Sequence, residues 1–512
     1  MINKIIIFSE NNGDVFNFMK SASSLRLSYM LRSAGYTVMQ VHNCLSFDRT
    51  ELKTILDNFS KGEQILVCIS TSFINTTVRK NIIFDEDSAK EGDYWGQPTY
   101  QFFLRLLPLT KQNNFVTIMG GWEISPGKFF RNSRRLWGID TLDKYIDYYV
   151  MNNNIEVIQD ICCDRPVEYR KIAGSKLVSG SEISDFTDCS SAPIESDMIM
   201  QGESLSTEIA AGCIFSCQFC NYAALGKKKT EYMRTYESLE RELISNYEKY
   251  KTTMYLLSDN IMNDYDEKLK YLIKIREKTG IDIRWTGYVR LDTIKNKQQA
   301  QLLLDSGIAG ATFGIESLKK EAGPSIGKMT DKDRLLKCFE IFRGVIGDNV
   351  ITTGSFIAGL PTETPDDLMK TYEWLESAEG KDFLDSYTFT SLLLYENNEN
   401  KNDINKSRND PFSDYIRTDS PALWTSPWGE ATTFLNLAKN FGAGASRSRS
   451  RVRAFSLPFI HNVGIPVERA VKMVRKLSGE QIESIIRKVV PNNKFMIDKY
   501  KKMVIDGVTN ND

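Results

Sequence analysis

Between residues 204 and 395 short β-like runs alternate with amphipathic helical stretches, and this alternation constrains the fold more than any other feature of the chain. STEIAAG precedes YESLERELISNYEKY, and TMYLLSD precedes YDEKLKYLIKIREK. DIRWTGYV precedes KQQAQLLLDSG, AGATFGI precedes DKDRLLKCFEIFRG, and VITTGSFIAGL precedes TPDDLMKTYEWLES. A last run, SYTFTSLLL, closes the series. Leu239 and Leu243 share one face of the first helical stretch, and Leu269, Leu272 and Ile273 one face of the second. Thr364-Pro365-Asp366-Asp367 supplies an N-cap, a proline at N1 and acids in the first turn of the fifth. Six βα units in series predict a parallel sheet that curls into a partial (β/α)6 barrel, with its chemistry at the C-terminal ends of the strands.

The loop after the first of these strands carries Cys213, Cys217 and Cys220, a C-x3-C-x2-C spacing within a chain of nine cysteines. A structural zinc site needs four ligands, commonly as paired half-sites. The nearest other cysteines are Cys162, Cys163 and Cys189, none in a C-x2-C, and the two histidines, His42 and His461, are distant in sequence. Three soft thiolates without a fourth ligand suit a four-iron cluster that keeps one iron open. Further strand ends carry polar or turn-forming residues: Ser258-Asp259-Asn260, Arg290 and Asp292, Glu316 and Ser317, and Gly354, Gly359, Pro361 and Glu363. Each alone also reads as a cap or turn; together they ring one mouth.

Cys213, Cys217 and Cys220 resemble the signature of the radical S-adenosylmethionine (radical SAM) superfamily. The resemblance covers roughly residues 204–395 and implies a [4Fe-4S] cluster whose open iron chelates SAM. Reductive cleavage of SAM then gives a 5′-deoxyadenosyl radical. Phe219 matches the family's aromatic position near the adenine. GIES is similar to a fourth-strand motif whose glutamate, here Glu316, contacts SAM, and GSFIAGLPTET to a fifth-strand motif supporting adenine and ribose. The resemblance thus implies cofactor roles for Phe219, Asp259, Asn260, Arg290, Glu316, Ser317, Gly354, Gly359 and Pro361. It also implies an electron donor such as a flavodoxin or ferredoxin.

Residues 1–150 read as a doubly wound (Rossmann-like) α/β domain: KIIIF, YTVMQVH, ILVCIS and FVTIMGG as strands, SSLRLSYMLRSAG and DRTELKTILDNFS as helices. Its ligand crevice is expected near Ser9–Phe16, Ser70–Ser72 and Gly120-Gly121. The arrangement is similar to the radical SAM subfamily with an N-terminal cobalamin-binding domain, with Gly120-Gly121-Trp122 at the place of that subfamily's glycine pair. The subfamily's D-x-H-x-x-G motif is missing, and MNNNIEVIQDI replaces its late glycine-glutamate run. A cobalamin site and a scaffold that has lost its cofactor both remain open readings. With cobalamin the implied reaction is methyl transfer to an unactivated carbon. Without it, rearrangement, cyclisation and oxidation are all open, as is a non-catalytic metal-stabilised binding protein. Cys44, Cys68 and Cys338 read as buried small hydrophobes.

Residues 151–203 read as an interdomain linker and 396–512 as a C-terminal loop and helical region. The polar run from 395 is expected to form a loop or lid, and ALWTSPWGEATTFLNLAKNF to return to helix. Arg447, Arg449, Arg451 and Arg453 alternate with small residues. They read as a solvated loop with glycine hinges, or as an anion contact. The formal net charge of −1, with 41% hydrophobic and 26% charged residues, fits a soluble globular chain and lacks a nucleic-acid binder's global basicity, which leaves a nucleic-acid partner open but not favoured. No apolar run reaches the roughly 18 residues of a membrane span, and the N-terminus reads as a strand and not a signal peptide. A cytoplasmic location follows as an expectation. The substrate, a small molecule or a peptide, is set by the barrel loops and the C-terminal region.

Overall fold

The computed structural model describes residues 1–10, 19–71, 96–121, 144–151, 155–172, 175–179, 186–215, 217–220, 232–259, 261–328, 331–394, 411–417, 423–445, 453–462, 464–477, 481, 484–485, 488 and 493–509. The chain divides into two compact units. One is Met1–Gln201 with Arg241–Tyr250 and Pro491–Asp512; the other is Gly202–Glu240 with Lys251–Val490.

The first unit contains β1 (Lys4–Phe8), α1 (Ala22–Ser33), β2 (Thr37–Val41), α2 (Arg49–Ser60), β3 (Ile65–Ser70), α3 (Gly96–Gln112), β4 (Val116–Gly120), β5 (Tyr148–Met151), α4 (Ile155–Cys162), β6 (Arg170–Ile172) and β7 (Ser175–Ser179). The strands form one sheet in the order 2-1-3-4-5-7-6, in which only the β6–β7 pairing is antiparallel. Ile6 and Phe8 of β1 enter one core and Ile5 and Ile7 the other, as the two-residue period of a strand buried on both faces requires. Leu52, Ile55 and Leu56 of α2 and Phe102, Phe103 and Leu106 of α3 cover the first face. Leu31 of α1 and Val157, Ile158 and Ile161 of α4 cover the second. This is the doubly wound arrangement expected from the sequence.

Two expectations about segments are corrected. Residues 151–203, read as a linker, supply β6 and β7 to the sheet. These strands are short, and their sequences, RKI and SKLVS, carry too few apolar residues to stand out. The terminal helix Asn493–Thr509, read as part of a separate helical region, seals the first unit: Tyr500 and Val504 are fully buried in its core.

Along the chain β8 (Leu205–Thr207), α5 (Tyr236–Tyr250), β9 (Met254–Leu257), α6 (Asp266–Thr279), β10 (Arg284–Val289), α7 (Lys297–Asp305), β11 (Ile308–Glu316), α8 (Lys332–Ile346), β12 (Ile351–Ala358), α9 (Pro365–Glu376), α10 (Ala378–Phe383) and β13 (Ser386–Ser391) follow one another, all in the second unit except the part of α5 from Arg241 on. The six strands are parallel and lie side by side in chain order, the partial barrel the alternation predicted. Register assigns the two faces. Thr286, Tyr288, Gly310, Thr312, Thr353, Ser355, Ser386 and Thr388 share one face, which is hydroxyl-rich and small. Trp285, Phe313, Phe356 and Tyr387 belong to the other, where Phe313 meets Phe339 and Phe342 of α8.

The C-terminal region also departs from expectation. Trp424–Ser426 and Gly429–Glu430 are strands of a small antiparallel sheet with Ile416–Arg417, so helix α11 begins only at Ala431 and runs to Ala445. The glycines Gly442 and Gly444, read as hinges, lie inside α11, because Phe441 beside them is anchored on Tyr372 and Phe389 at ring distances of 4.3 and 5.2 Å. The polar run from 395 to 410 and Arg447, Arg449 and Arg451 lie outside the described residues, whereas Arg453 is exposed. Just after it, Ala454 and Leu457 press on Gly310, and the Ala454 N–H donates to Thr353 Oγ1 at 2.9 Å. The segment therefore fills part of the hydroxyl-rich face.

Phe342 is fully buried, 5.3 Å from Phe313. Phe342→Ala is expected to destabilise the second unit by about 3–5 kcal/mol, from lost transfer free energy and the cavity left behind. Urea unfolding followed by far-UV circular dichroism measures it, and a loss under 1 kcal/mol contradicts this packing.

Candidate functional site

Among its described residues the loop between β8 and α5 pairs with itself only through an isolated antiparallel bridge, Ala210 with Met233, and the N–H groups of Ile209 and Ala210 need other acceptors. Asp259, just beyond β9, provides them: its carboxylate accepts from the N–H groups of Ile209 at 2.9 Å and Ala210 at 2.6 Å. Lys268 of α6 lies 3.4 Å from Asp259 and 2.8 Å from Asp264, all three side chains being almost wholly buried. Burial opposes the Lys268 charge, but the two carboxylates outweigh it and raise its pKa. Three residues beyond Ala210, after Gly212 turns the chain at φ 112°, comes Cys213. Gln218 N–H donates to Ile326 O and Cys220 N–H to Cys217 O, each at 3.0 Å, which fixes the far side of the loop. Cys217 is buried, and Cys213 and Cys220 are half-buried.

Burial pushes the Cys213 and Cys217 thiols up, and the nearby cations Lys328 and Arg290 work against this at Cys217. Binding a metal centre here therefore releases protons. Among the described residues no three Cys, His, Asp or Glu side chains gather tightly enough to hold one metal ion. Thiolates that each serve a different iron of a cluster need not converge in that way. The donor set, three soft thiolates on one loop beside two cations, fits an anionic iron–sulfur cluster better than zinc.

The neighbouring strand ends close in on the loop. Arg290, directly after β10, makes a bidentate ion pair with Asp292 at 2.7 and 3.0 Å; its Nη1 is 3.8 Å from Cys217 Sγ, and the Phe215 ring lies against it. Glu316, the last residue of β11, adopts the left-handed region at φ 70°, and its carboxylate meets Lys328 Nζ at 2.6 Å. The same ammonium donates to Gly314 O at 2.6 Å and lies 5.7 Å from the half-buried Phe219 ring. Ser317 Oγ donates to Glu363 Oε1 at 2.6 Å, and Lys319 joins Thr362 O and Asp367, so the loops after β11 and β12 are tied together twice.

The structure thus brings Cys213, Cys217, Cys220, Phe219, Arg290, Glu316 and Ser317 to one edge. Three expected cofactor contacts take other parts. Asp259 holds the cysteine loop through its backbone. Gly354 lies on the helix-facing side of β12, where an added Cβ would be 2.4 Å from Leu384 Cδ1. Gly359, at φ 91°, makes room for the Trp424 ring, 2.4 Å from where a Cβ would stand. Pro361 is buried in the same turn, and Asn260 lies outside the described residues. Lys328 was missed, since a lysine in IGKMT looks like any surface lysine; its only signal is its place twelve residues after Glu316. Neither histidine takes part in the described contacts of this edge. His42, after β2, is enclosed with Nδ1 2.8 Å from Ser9 Oγ, and burial pushes its pKa well below the usual value. His461 is half-buried, with its pKa also lowered by burial.

Residues 207–375 match the model of the radical SAM superfamily. The chain carries a radical SAM domain. No curated protein sequence matches the chain. Among solved structures it is similar to the radical S-adenosylmethionine methyltransferase TsrM from Kitasatospora setae, with cobalamin and a [4Fe-4S] cluster bound. That likeness has 15% identity and a TM-score of 0.56, over 77% of this chain and 76% of TsrM. It is also similar to the cobalamin-dependent S-adenosylmethionine radical enzyme OxsB with aqua-cobalamin bound, at 12% identity and a TM-score of 0.53, over 76% of this chain and 53% of OxsB. At these identities the likeness shows a shared fold, the doubly wound unit as well as the radical SAM barrel.

Glu363 has no solvent exposure, and burial pushes its carboxyl pKa up to about 7 against the hydrogen bonds from Ser317 and Gly359. A folded-state pKa above the unfolded one stabilises the protein fully below the unfolded value, and the contribution is lost as pH rises to the folded value. Wild type is therefore expected to lose on the order of 3 kcal/mol relative to Glu363→Gln between pH of about 4.5 and 7. Parallel urea titrations of the two proteins across that window test this, and parallel curves refute it.

Proposed function

We propose that this chain is a radical SAM enzyme that reductively cleaves SAM at a [4Fe-4S] cluster and, with cobalamin in its first unit, transfers a methyl group to an unactivated carbon. One observation carries the first part: three thiolates on one loop, at the C-terminal edge of a six-stranded parallel sheet inside a radical SAM domain. When bound, the cluster supplies the electron that splits the SAM sulfonium into methionine and a 5′-deoxyadenosyl radical.

The chain's own residues position and shield. Cys213, Cys217 and Cys220 hold the cluster. Phe219, half-buried beside Lys328, offers a ring face to the adenine. Glu316 and Lys328 form a buried pair of opposite charges that suits a zwitterionic amino acid moiety. The Ser317–Glu363 and Lys319–Asp367 ties hold the two cofactor loops at one spacing. A low-potential flavodoxin or ferredoxin in the cytoplasm provides the electron, and among the described residues no helix is long and apolar enough to cross a membrane.

The support for cobalamin is the fold shared with TsrM and OxsB and the character of the first unit's C-terminal sheet edge. There Ser9, Ser70, Thr71, Gly120 and Gly121 end β1, β3 and β4 with small residues, at the point where strand order reverses. Thr71 ties the ends of β3 and β4 through its N–H and hydroxyl to Gly120 O, at 2.7 and 2.9 Å. Without the D-x-H-x-x-G motif, and with His42 enclosed, this reading assigns no histidine to cobalt.

Anaerobically reconstituted protein is expected to be brown, to hold about four irons per chain and to form 5′-deoxyadenosine from SAM under a strong reductant. Cys217→Ala should lose nearly all cluster absorbance and all cleavage, and a variant that keeps both removes Cys217 from the site. For the first unit, the visible spectrum after desalting is decisive. Stoichiometric cobalamin is the expected result. A cobalamin-free protein that still cleaves SAM turns that unit into a scaffold and leaves rearrangement, cyclisation or oxidation as the reaction.

A further inference from the structure

We infer that Arg290 sets the reduction potential of the centre held by Cys217, by donating a fixed hydrogen bond to the Cys217 thiolate. The inference rests on the proposed cluster and concerns a residue that the sequence placed among the SAM contacts.

The guanidinium is held on every side. Its Nε and Nη2 donate to Asp292 Oδ1 and Oδ2 at 2.7 and 3.0 Å, the fork geometry of arginine and carboxylate. Its plane rests on the Phe215 ring, with Cζ 3.9 Å from the ring centroid. The backbone at the same residue is clamped in both directions by the Asn263 amide: Oδ1 accepts from Arg290 N–H at 2.8 Å and Nδ2 donates to Arg290 O at 2.9 Å. One donor remains. Nη1 lies 3.8 Å from Cys217 Sγ, a hydrogen-bond distance for sulfur, and both partners of the ion pair are only 7% exposed.

A purely structural role accounts poorly for this set. A buried ion pair between residues two apart adds little net stability, since desolvation offsets most of its attraction. Asp292 does, however, orient the guanidinium, as does Phe215, and both leave its free N–H aimed at the cysteine loop. Hydrogen bonds to cluster sulfurs are among the main determinants of potential. One electron from an external low-potential donor enters the oxidised cluster; no bond is made or broken and no proton moves. The added negative charge is stabilised by a donor already in place, so Arg290 favours the reduced form. Lys328, the other cation near Cys217, directs its described hydrogen bonds to Glu316 and Gly314 O and not to the sulfur.

The test is the midpoint potential of the full-length reconstituted protein, followed by electron paramagnetic resonance during a redox titration without SAM, together with iron content. For Arg290→Met the reduced fraction at a fixed poise near the wild-type midpoint is expected to fall about tenfold, about 59 mV for a one-electron couple. Arg290→Lys, which keeps a cationic donor without the fork, should recover part of the loss. Arg290→Met protein that holds its iron at an unchanged midpoint overturns the inference. So does loss of iron by both variants, which makes Arg290 a structural clamp. Wild-type protein that takes up no iron fails at the earlier step and overturns the cluster reading instead.

Discussion

The shape of the cysteine loop depends on one buried carboxylate. A parallel sheet pairs its strands internally but leaves the loops at its edge without partners, and the stretch after β8 enters the interior before it reaches Cys213. Asp259 accepts both N–H groups of Ile209 and Ala210. A carboxylate without solvent contact is itself untenable without a cation, so Lys268 stands beside it. Lys268 is balanced in turn by Asp264 and capped by the carbonyl of Ile261. Each group answers the cost created by the one before it. The result places the first cysteine three residues past a rigid anchor.

The fold was legible because its signals are local. Hydrophobic period, the Thr364-Pro365 start and the glycine-ended helices all act within a few residues, and they gave six strands in their spatial order. The capping box of α9, with Thr364 and Asp367 bonding reciprocally, is where the sequence placed it. The cysteines were legible because spacing alone restricts what three thiols can bind. What escaped depends on distant partners. Lys328 becomes a site residue only because β11 ends in a bulge that turns Glu316 toward it. Ala454 and Leu457 fill the face beside Gly310 from more than a hundred residues away, with no motif to announce it. Tyr500 joins the first unit from the far end of the chain, its hydroxyl accepting from His42 N–H at 2.9 Å. Asp259 was found by its position but its bonds to the loop backbone were not, since a carboxylate at a strand end looks the same whether it faces a ligand or a backbone.

Two residues at the mouth hold strained backbone. Glu316 and Thr362 have φ of 70° and 69°, a region that side chains with a Cβ seldom adopt. Such conformations cost of order 1–3 kcal/mol each and persist only where the surroundings over-determine them. The surroundings here do so: Lys328 holds Glu316, and Ser317 and Lys319 join its loop to Glu363, Thr362 and Asp367. The strained residues and the ties between their loops form one assembly, and Trp424 and Tyr415 brace it from outside. Trp424 packs on Gly359, and the Tyr415 hydroxyl donates to Gly359 O at 3.0 Å.

The charges at this edge come in pairs: Arg290 with Asp292, Glu316 with Lys328, Lys319 with Asp367. A low-dielectric mouth tolerates charge only in this form, so a ligand with one net charge would meet an uncompensated penalty unless something else neutralised it. A zwitterion meets none. Its ammonium can take the place of Lys328 beside Glu316 while its carboxylate takes the place of Glu316 beside Lys328, and neutrality holds before and after. Under the proposed reading Glu316–Lys328 is the pair that exchanges, the ligand's ammonium then holding Glu316 in place of Lys328. Arg290 is locked by Asp292, Phe215 and the Asn263 clamp, and Lys319–Asp367 is part of the tie between loops. Under the same reading the amino acid end of SAM docks at that pair, and the rigid pairs fix where that end stands relative to Cys217.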